Sequence, residues 1–339
     1  MTAKKMGQQT AELSSPPSFL SFANAGGQKE GEGPLRSCFD MISEDDTFGE
    51  SSWEKAESAM QKQAFSLALE KGGLQAGQLD WLFAGDLLNQ CVSSSFAARG
   101  QDIPFFGLYG ACSTMGEGLA LAAMTLDGGF GSRAGVVVSS HFCSAERQYR
   151  NPLEYGGQRP PTSQWTATAS GAVILGTQGP GPYITHVTIG KIVDKGVTDT
   201  NNMGAAMAPA AYETLKTHFS DTGRSPKFYD LIVTGDLGQL GSELMEELFR
   251  QDGIELTSNH TDCGLLLFDA ETQDVHSGGS GCGCAASVLT GYFLPQMRAG
   301  MWKNILFCPT GALHSPTTAF QGESIPGICH AIAISASLS

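Results

Sequence analysis

The sequence predicts an α/β protein assembled from two similar halves, and three observations carry that expectation. Short β-branched or aromatic runs alternate with longer helix-like segments. The chain, at 339 residues, is long enough for two core-building units. A short pattern from the first half returns in the second, followed by the same succession of elements.

Residues 1–17 are polar and end in Ser15-Pro16-Pro17, which predicts a flexible arm before a first half at 18–179 and a second at 180–339. Strands are expected at 80–84 (DWLFA), 135–140 (GVVVSS), 171–176 (GAVILG), 230–234 (DLIVT), 264–268 (GLLLF) and 304–308 (NILFC). Helices are expected at 53–70, 114–127, 206–219 and 241–251. Near-continuous apolar strands between helices imply sheets buried on both faces. The repeat pairs 80–87 (DWLFAGDL) with 230–237 (DLIVTGDL). Asp80, Gly85, Asp86 and Leu87 are identical to Asp230, Gly235, Asp236 and Leu237, and the apolar positions between are similar. Each copy leads to a small-residue turn bearing cysteine, 110–114 (GACST) or 281–285 (GCGCA). A helix closed by glycine and then a hydrophobic strand follow.

Composition narrows the function. Forty-three glycines scattered among apolar segments predict tight turns and close backbone approaches. A net charge of −14 argues against a nucleic-acid partner, which would need a Lys/Arg face. The one positive stretch, Arg133 to Pro160, carries Arg133, Arg147, Arg150 and Arg159. Met203, Met207 and their alanine neighbours read as packing residues. No apolar run is long enough to span a bilayer, and no apolar stretch behind the N-terminal lysines marks a signal peptide. Nine cysteines without a secretion signal predict reduced thiols in a cytoplasmic fold. Cys282 and Cys284 lack the further ligands a zinc site needs, Gly278–Gly283 lacks the dinucleotide spacing, and no GxxxxGK[ST] occurs, so neither a metal nor a nucleotide cofactor is expected.

The most specific local feature is Tyr109-Gly110-Ala111-Cys112-Ser113-Thr114 before a helix. Thr114 and Glu117 have capping-box spacing, and Met115, Leu119, Ala122, Ala123 and Leu126 share a helix face. A cysteine at a helix start feels the positive end of the dipole, which favours thiolate. A buried small residue in a tight turn is the alternative at Cys112.

Duplicated halves with a cysteine at a strand-to-helix elbow resemble the thiolase superfamily. The resemblance implies a layered αβαβα, thiolase-like fold with Cys112 at the elbow. In the ketoacyl synthase III branch a His after the second-half strand and an Asn in a later Gly-rich segment assist the cysteine. The matching positions here hold Asp236 and Cys282. An ionised Asp236 beside the thiol would raise its pKa rather than lower it. Loss of condensing chemistry is therefore expected, with acyl transfer through Cys112 as the alternative.

A closer resemblance, over about residues 18–334, is to the stage V sporulation protein AD (SpoVAD) family of spore-forming bacteria. It rests on 84–90 (AGDLLNQ), 110–114 (GACST), 139–141 (SSH), 145–148 (AERQ), 154–158 (EYGGQ), 203–209 (MGAAMAP), 278–282 (GGSGC) and 323–326 (ESIP). It implies non-catalytic binding of dipicolinic acid, or of its calcium chelate, during uptake into the developing spore. It also implies other SpoVA proteins as partners, a peripheral place at the spore inner membrane and a homodimer. Calcium is expected only with the ligand. The pocket residues expected on this basis are Cys112, Cys282, His141, Asp86, Asn89 and Arg147. His141 follows strand 135–140. Asp86 would orient it or, with Asn89, meet calcium through oxygen, and Arg147 would pair with a carboxylate.

Overall fold

The computed structural model describes residues 4–149, 158–256 and 259–338. Its ten principal strands are β1 (Ser18–Gly26), β2 (Trp81–Gly85), β3 (Phe105–Leu108), β4 (Arg133–Ser140), β5 (Ala169–Gly176), β6 (Tyr183–Thr188), β7 (Leu231–Thr234), β8 (His260–Asp262), β9 (Asn304–Cys308) and β10 (Ala331–Ser335). They lie in the order 8-7-9-10-6-1-5-4-2-3, so the array reads the same from either edge once five is added to each first-half number. The pairing repeats as well. β1–β5 and β4–β5 are antiparallel while β2 runs parallel to β3 and β4. β6–β10 and β9–β10 are antiparallel while β7 runs parallel to β8 and β9. Even the register shift recurs, between Phe19 and Ser21 in one half and between Ile184 and His186 in the other. The two five-stranded sets meet through a single antiparallel pair, Tyr183 with Ser18.

The alternation of strand side chains explains the layers. Val136 and Val138 of β4, and Val173 and Leu175 of β5, join the central core; Val137 and Ile174 join an outer one. In the second half Ile305 and Phe307 face inward while Leu306 and Cys308 face outward. Two helices fill the centre, α3 (Thr114–Asp127) and α8 (Cys282–Val288). α3 contributes Met115, Leu119, Ala122, Ala123 and Leu126, the face expected from sequence. α1 (Trp53–Lys71) covers the first sheet through Met60, Ala64, Phe65 and Ala68. α5 (Met203–Thr222) and α6 (Gly238–Gln251) cover the second through Met207, Ala211, Leu215, Met245 and Phe249. The remaining helices needed here are α2 (Val92–Ala98), α4 (Phe142–Tyr149) and α7 (Cys263–Leu267). A glycine allows α8 to lie on β5: a Cβ at Gly283 would fall 2.1 Å from the Ala169 carbonyl oxygen.

The leading aspartate of the repeat does the same work twice. Asp80 accepts from the backbone N–H groups of Ser132 and Arg133 at the start of β4. Asp230 accepts from those of Lys303 and Asn304 at the start of β9.

Two sequence expectations are corrected. Segment 264–268 is not a strand: Cys263–Leu267 forms the short helix α7, because Asp262 caps it by accepting from the Gly264 N–H. A four-residue apolar run carries no periodicity to separate the two states. The arm is not flexible through residue 17. Thr10–Glu12 pairs with β6, and the Asp221 carboxylate accepts from the N–H groups of Gln8, Gln9 and Thr10. Its polar residues conceal the order because the partner lies far along the chain. Among the described residues no helix is long and apolar enough to cross a membrane.

Candidate functional site

The pocket lies where β2 and β4 end, between the two sheets. It encloses about 530 Å³ of empty space, open solvent at its mouth included. Cys112 and Ala111 form one wall with Ser280 and Thr166. Ala145, Glu146 and Tyr149 of α4 form a second, and Met203 and Met207 of α5 a third. Tyr109, Leu87, Ala312 and His314 complete it.

The elbow is built by its own short side chains. Ala111 adopts a left-handed backbone (φ 50°), which turns the chain sharply before α3. The Thr114 hydroxyl accepts from Gly110 N–H (3.0 Å) and donates to Ala111 C=O (2.6 Å), and Ser113 Oγ donates to Gly110 C=O (2.7 Å). Thr114 is thus the first helical residue, and Ser113 takes the cap position without a side-chain bond. The expected Thr114–Glu117 capping box does not form, because the elbow uses the threonine hydroxyl. Gly311 packs against the same turn; a Cβ there would sit 2.3 Å from Gly110 O.

Behind Cys112 stands Asp236, fully buried. Its Oδ1 accepts from Thr310 Oγ1 (2.7 Å), and its Oδ2 from Ser280 Oγ (3.1 Å) and Gly281 N–H (3.4 Å). Cys112 Sγ lies 3.7 Å from Ser280 Oγ. Burial pushes the Asp236 carboxyl up to about 7, against the pull of the Cys112 thiol and the two hydroxyls. Burial, with the Asp236 carboxylate beside it, drives the Cys112 thiol well above its usual value. The helix dipole does not rescue the thiolate, because Cys112 precedes the first turn and faces an acid.

At the mouth Tyr149 donates to Leu87 C=O and Tyr109 OH donates to Tyr149 OH (2.7 Å). The Tyr149 and His314 rings lie 5.7 Å apart. No lysine or arginine lines the cavity among the described residues, whereas Glu146 does.

Of the residues expected here, the structure brings Cys112 to the pocket and leaves the other five outside its lining. His141 is buried and neutral: burial lowers its pKa, Nε2–H donates to Asp46 C=O (2.7 Å), and Nδ1 accepts from Cys143 N–H (3.2 Å). Asp86 does not orient it. Both Asp86 oxygens are engaged, Oδ1 by Leu88 N–H and Oδ2 by Ser94 N–H and Oγ, so it caps its own loop and holds no oxygen toward calcium. Asn89 is exposed, its N–H donating to Gln148 Oε1. Arg147 ion-pairs with Glu54 on α1, since on α4 only positions 145, 146 and 149 share the pocket face. Cys282 is fully buried and its thiol donates to Ser139 C=O (2.9 Å). Arg150 and residues 154–157 of the quoted motif lie outside the described residues.

Ser280, Thr310, Glu146 and Tyr149 were not singled out from sequence, and Met203 and Met207, read there as packing residues, are pocket walls as well. The signal was present for most: Glu146, Met203, Met207 and Ser280 all fall inside the quoted motifs.

Comparison with known proteins agrees with this geometry. The structure of Xanthomonas campestris OleA C143A aligns with a TM-score of 0.61 at 12% identity, covering 99% of both chains. The 3-oxoacyl-[acyl-carrier-protein] synthase III of Aquifex aeolicus aligns at 0.54 and 13% identity, over 94% of this chain and 99% of the other. The fold is therefore thiolase-like. The stage V sporulation protein AD of Bacillus subtilis (strain 168) is 44% identical over 330 residues, 97% of each chain. The family model for Stage V sporulation protein AD (SpoVAD) matches residues 7–335, and the chain belongs to that family.

Proposed function

We propose that the cavity beside Cys112 binds dipicolinic acid as its calcium chelate, non-catalytically, for uptake into the developing spore. Membership of a sporulation family supports the setting. The observation that carries the reading is the cavity floor, where the elbow cysteine faces a buried carboxyl instead of a base. A thiol held protonated is a poor nucleophile and a serviceable wall.

The chelate follows from charge. Free dipicolinate carries two carboxylates, and among the described residues the cavity sets Glu146 on its wall and Asp236 behind its floor, with no lysine or arginine in its lining to meet such a dianion. The calcium chelate is neutral, and Glu146 can offer an oxygen to its metal. The ring would pack between Met203, Met207 and the tyrosine pair. Calorimetry checks this. Dipicolinate with calcium is expected to bind at least tenfold more tightly than dipicolinate alone, and Glu146→Gln to remove most of that difference. Equal affinity with and without calcium would exclude the chelate, and no binding in either form would exclude the ligand.

In this reading the protein is a homodimer that works with other SpoVA proteins at the spore inner membrane. The edge strand β3 supports the dimer: Phe106 is 48% exposed at the sheet margin, stacked on Phe83 (5.2 Å between centroids). Light scattering should give twice the 35.7 kDa chain mass for the wild type and a monomer for Phe106→Glu.

A further inference from the structure

We infer that Asp236 is a specificity-determining residue of this pocket: a carboxylate of the calcium chelate, seated against Cys112 and Ser280, enters together with one proton, which settles on Asp236. The inference rests on the ligand-binding reading above.

Among the described residues, the groups that act most strongly on Asp236 include no base. The titratable groups around it are Cys112 from the elbow, Asp262 and Cys263 at the end of β8, Cys282 and Cys284 of α8, and Cys329. Every one is an acid. His260 is occupied by Thr234 Oγ1 and Glu246 and faces Asp262 instead. Asp262 in turn is committed to Thr234 Oγ1 and the N–H groups of Leu237, Gly238 and Gly264. Among the described residues, the cavity lining adds a further acid, Glu146, and an imidazole, His314. Although the chelate carries no net charge, a carboxylate of it placed on Ser280 sets negative oxygens against a fully buried carboxyl that is already half protonated near pH 7.

The hydrogen bonds show where the proton goes. Gly281 N–H can only donate, so Oδ2 stays an acceptor. Oδ1 meets only the Thr310 hydroxyl, a rotor that can turn from donor to acceptor. Protonation at Oδ1 therefore costs no unmatched donor pair. An asparagine reproduces that state, with its carbonyl toward Gly281 and its NH₂ toward Thr310. Asp236→Asn is thus a permanently neutral form of the site.

Calorimetry of dipicolinate with saturating calcium, in buffers of different ionisation enthalpy, counts the protons taken up. About 0.5 proton per ligand is expected at pH 7, approaching one by pH 8, with affinity falling roughly tenfold per pH unit above 7. Asp236→Asn should bind with no uptake and a flat pH profile. Thr310→Val strips Oδ1 of its donor and should move the uptake midpoint to higher pH. Wild-type binding without proton uptake, undiminished uptake in Asp236→Asn, or an unmoved midpoint in Thr310→Val overturns the inference while leaving the ligand assignment intact. Absence of binding by the wild type overturns both.

Discussion

Raising the pH from 6.5 to 7.5 should lower the free energy of unfolding by roughly 1 to 2 kcal/mol. Three fully buried carboxyls carry the effect. Glu30 is pushed to about 8 by burial; Oε1 accepts from Thr168 N–H (2.9 Å) and Oε2 has no partner among the described residues. Glu57 is pushed to about 8 by burial and by Asp86, although Ser139 Oγ (3.0 Å) and Ser144 Oγ (2.8 Å) donate to it. Asp236, at about 7, is the third. These folded values lie above the unfolded ones, so the folded chain binds more protons. Their stabilisation is complete below the unfolded pKa and is lost as pH rises through the folded pKa. Histidines act in the opposite sense at lower pH. Burial lowers His186 to about 4, His218 to about 3 and His330 to about 4, and lowers His141 too. Their contribution is present above the unfolded value and lost as pH falls. Stability should therefore peak near pH 6, with the carboxyls outweighing the histidines on the alkaline limb until the thiols titrate. Urea unfolding from pH 5 to 8 gives the curve, and Glu30→Gln should remove roughly 1 kcal/mol of the fall between 6.5 and 7.5. A flat profile there would mean that water or rearrangement relieves these carboxyls.

The parts of this structure legible in the sequence are those specified by local spacing or by the internal repeat. Apolar alternation located β4, β5, β7 and β9 because each strand feeds two cores at once, Val136 and Val138 on one side of β4 and Val137 on the other. The recurring Asp80 and Asp230 marked real structural equivalents, since each ties its strand to the next. Asp86 and Asp236 occupy equivalent places yet do different work. One caps the loop at Leu88 and Ser94, the other backs Cys112. That divergence depends on Ser280 and Thr310, which come from distant segments, and no local pattern announces it. His141 misled for a related reason. Its place after β4 puts it near the elbow, but the direction of its ring is decided by Asp46, far off in sequence. Arg147 has the right charge for a carboxylate on a helix whose neighbouring residues line the cavity. One step around that helix turned it to Glu54 instead.

Cys112 should resist alkylation. Iodoacetamide reacts with the thiolate, and each unit by which a thiol lies above its ordinary value removes about nine-tenths of that form at neutral pH. Burial and the Asp236 carboxylate act in the same direction at Cys112. At pH 7.5 its carbamidomethylation, followed by peptide mass spectrometry, should be slower than that of free cysteine by an order of magnitude or more. Peptide mapping is needed because Cys38, Cys91 and Cys143 are also only partly buried. Asp236→Asn removes the carboxylate but leaves the burial, so the rate should rise by several-fold and stay below that of free cysteine. Asp236→His places a base where the acid stood and should raise the rate further. The same series bears on acyl transfer. The left-handed backbone at Ala111 turns Cys112 into the cavity, where burial and an acid bonded to Thr310 and Ser280 both favour the thiol form. Rapid alkylation of the wild-type cysteine, or an acyl adduct on it after incubation with acyl-CoA, would show that burial and Asp236 do not suppress the thiolate, and would return Cys112 to a catalytic role.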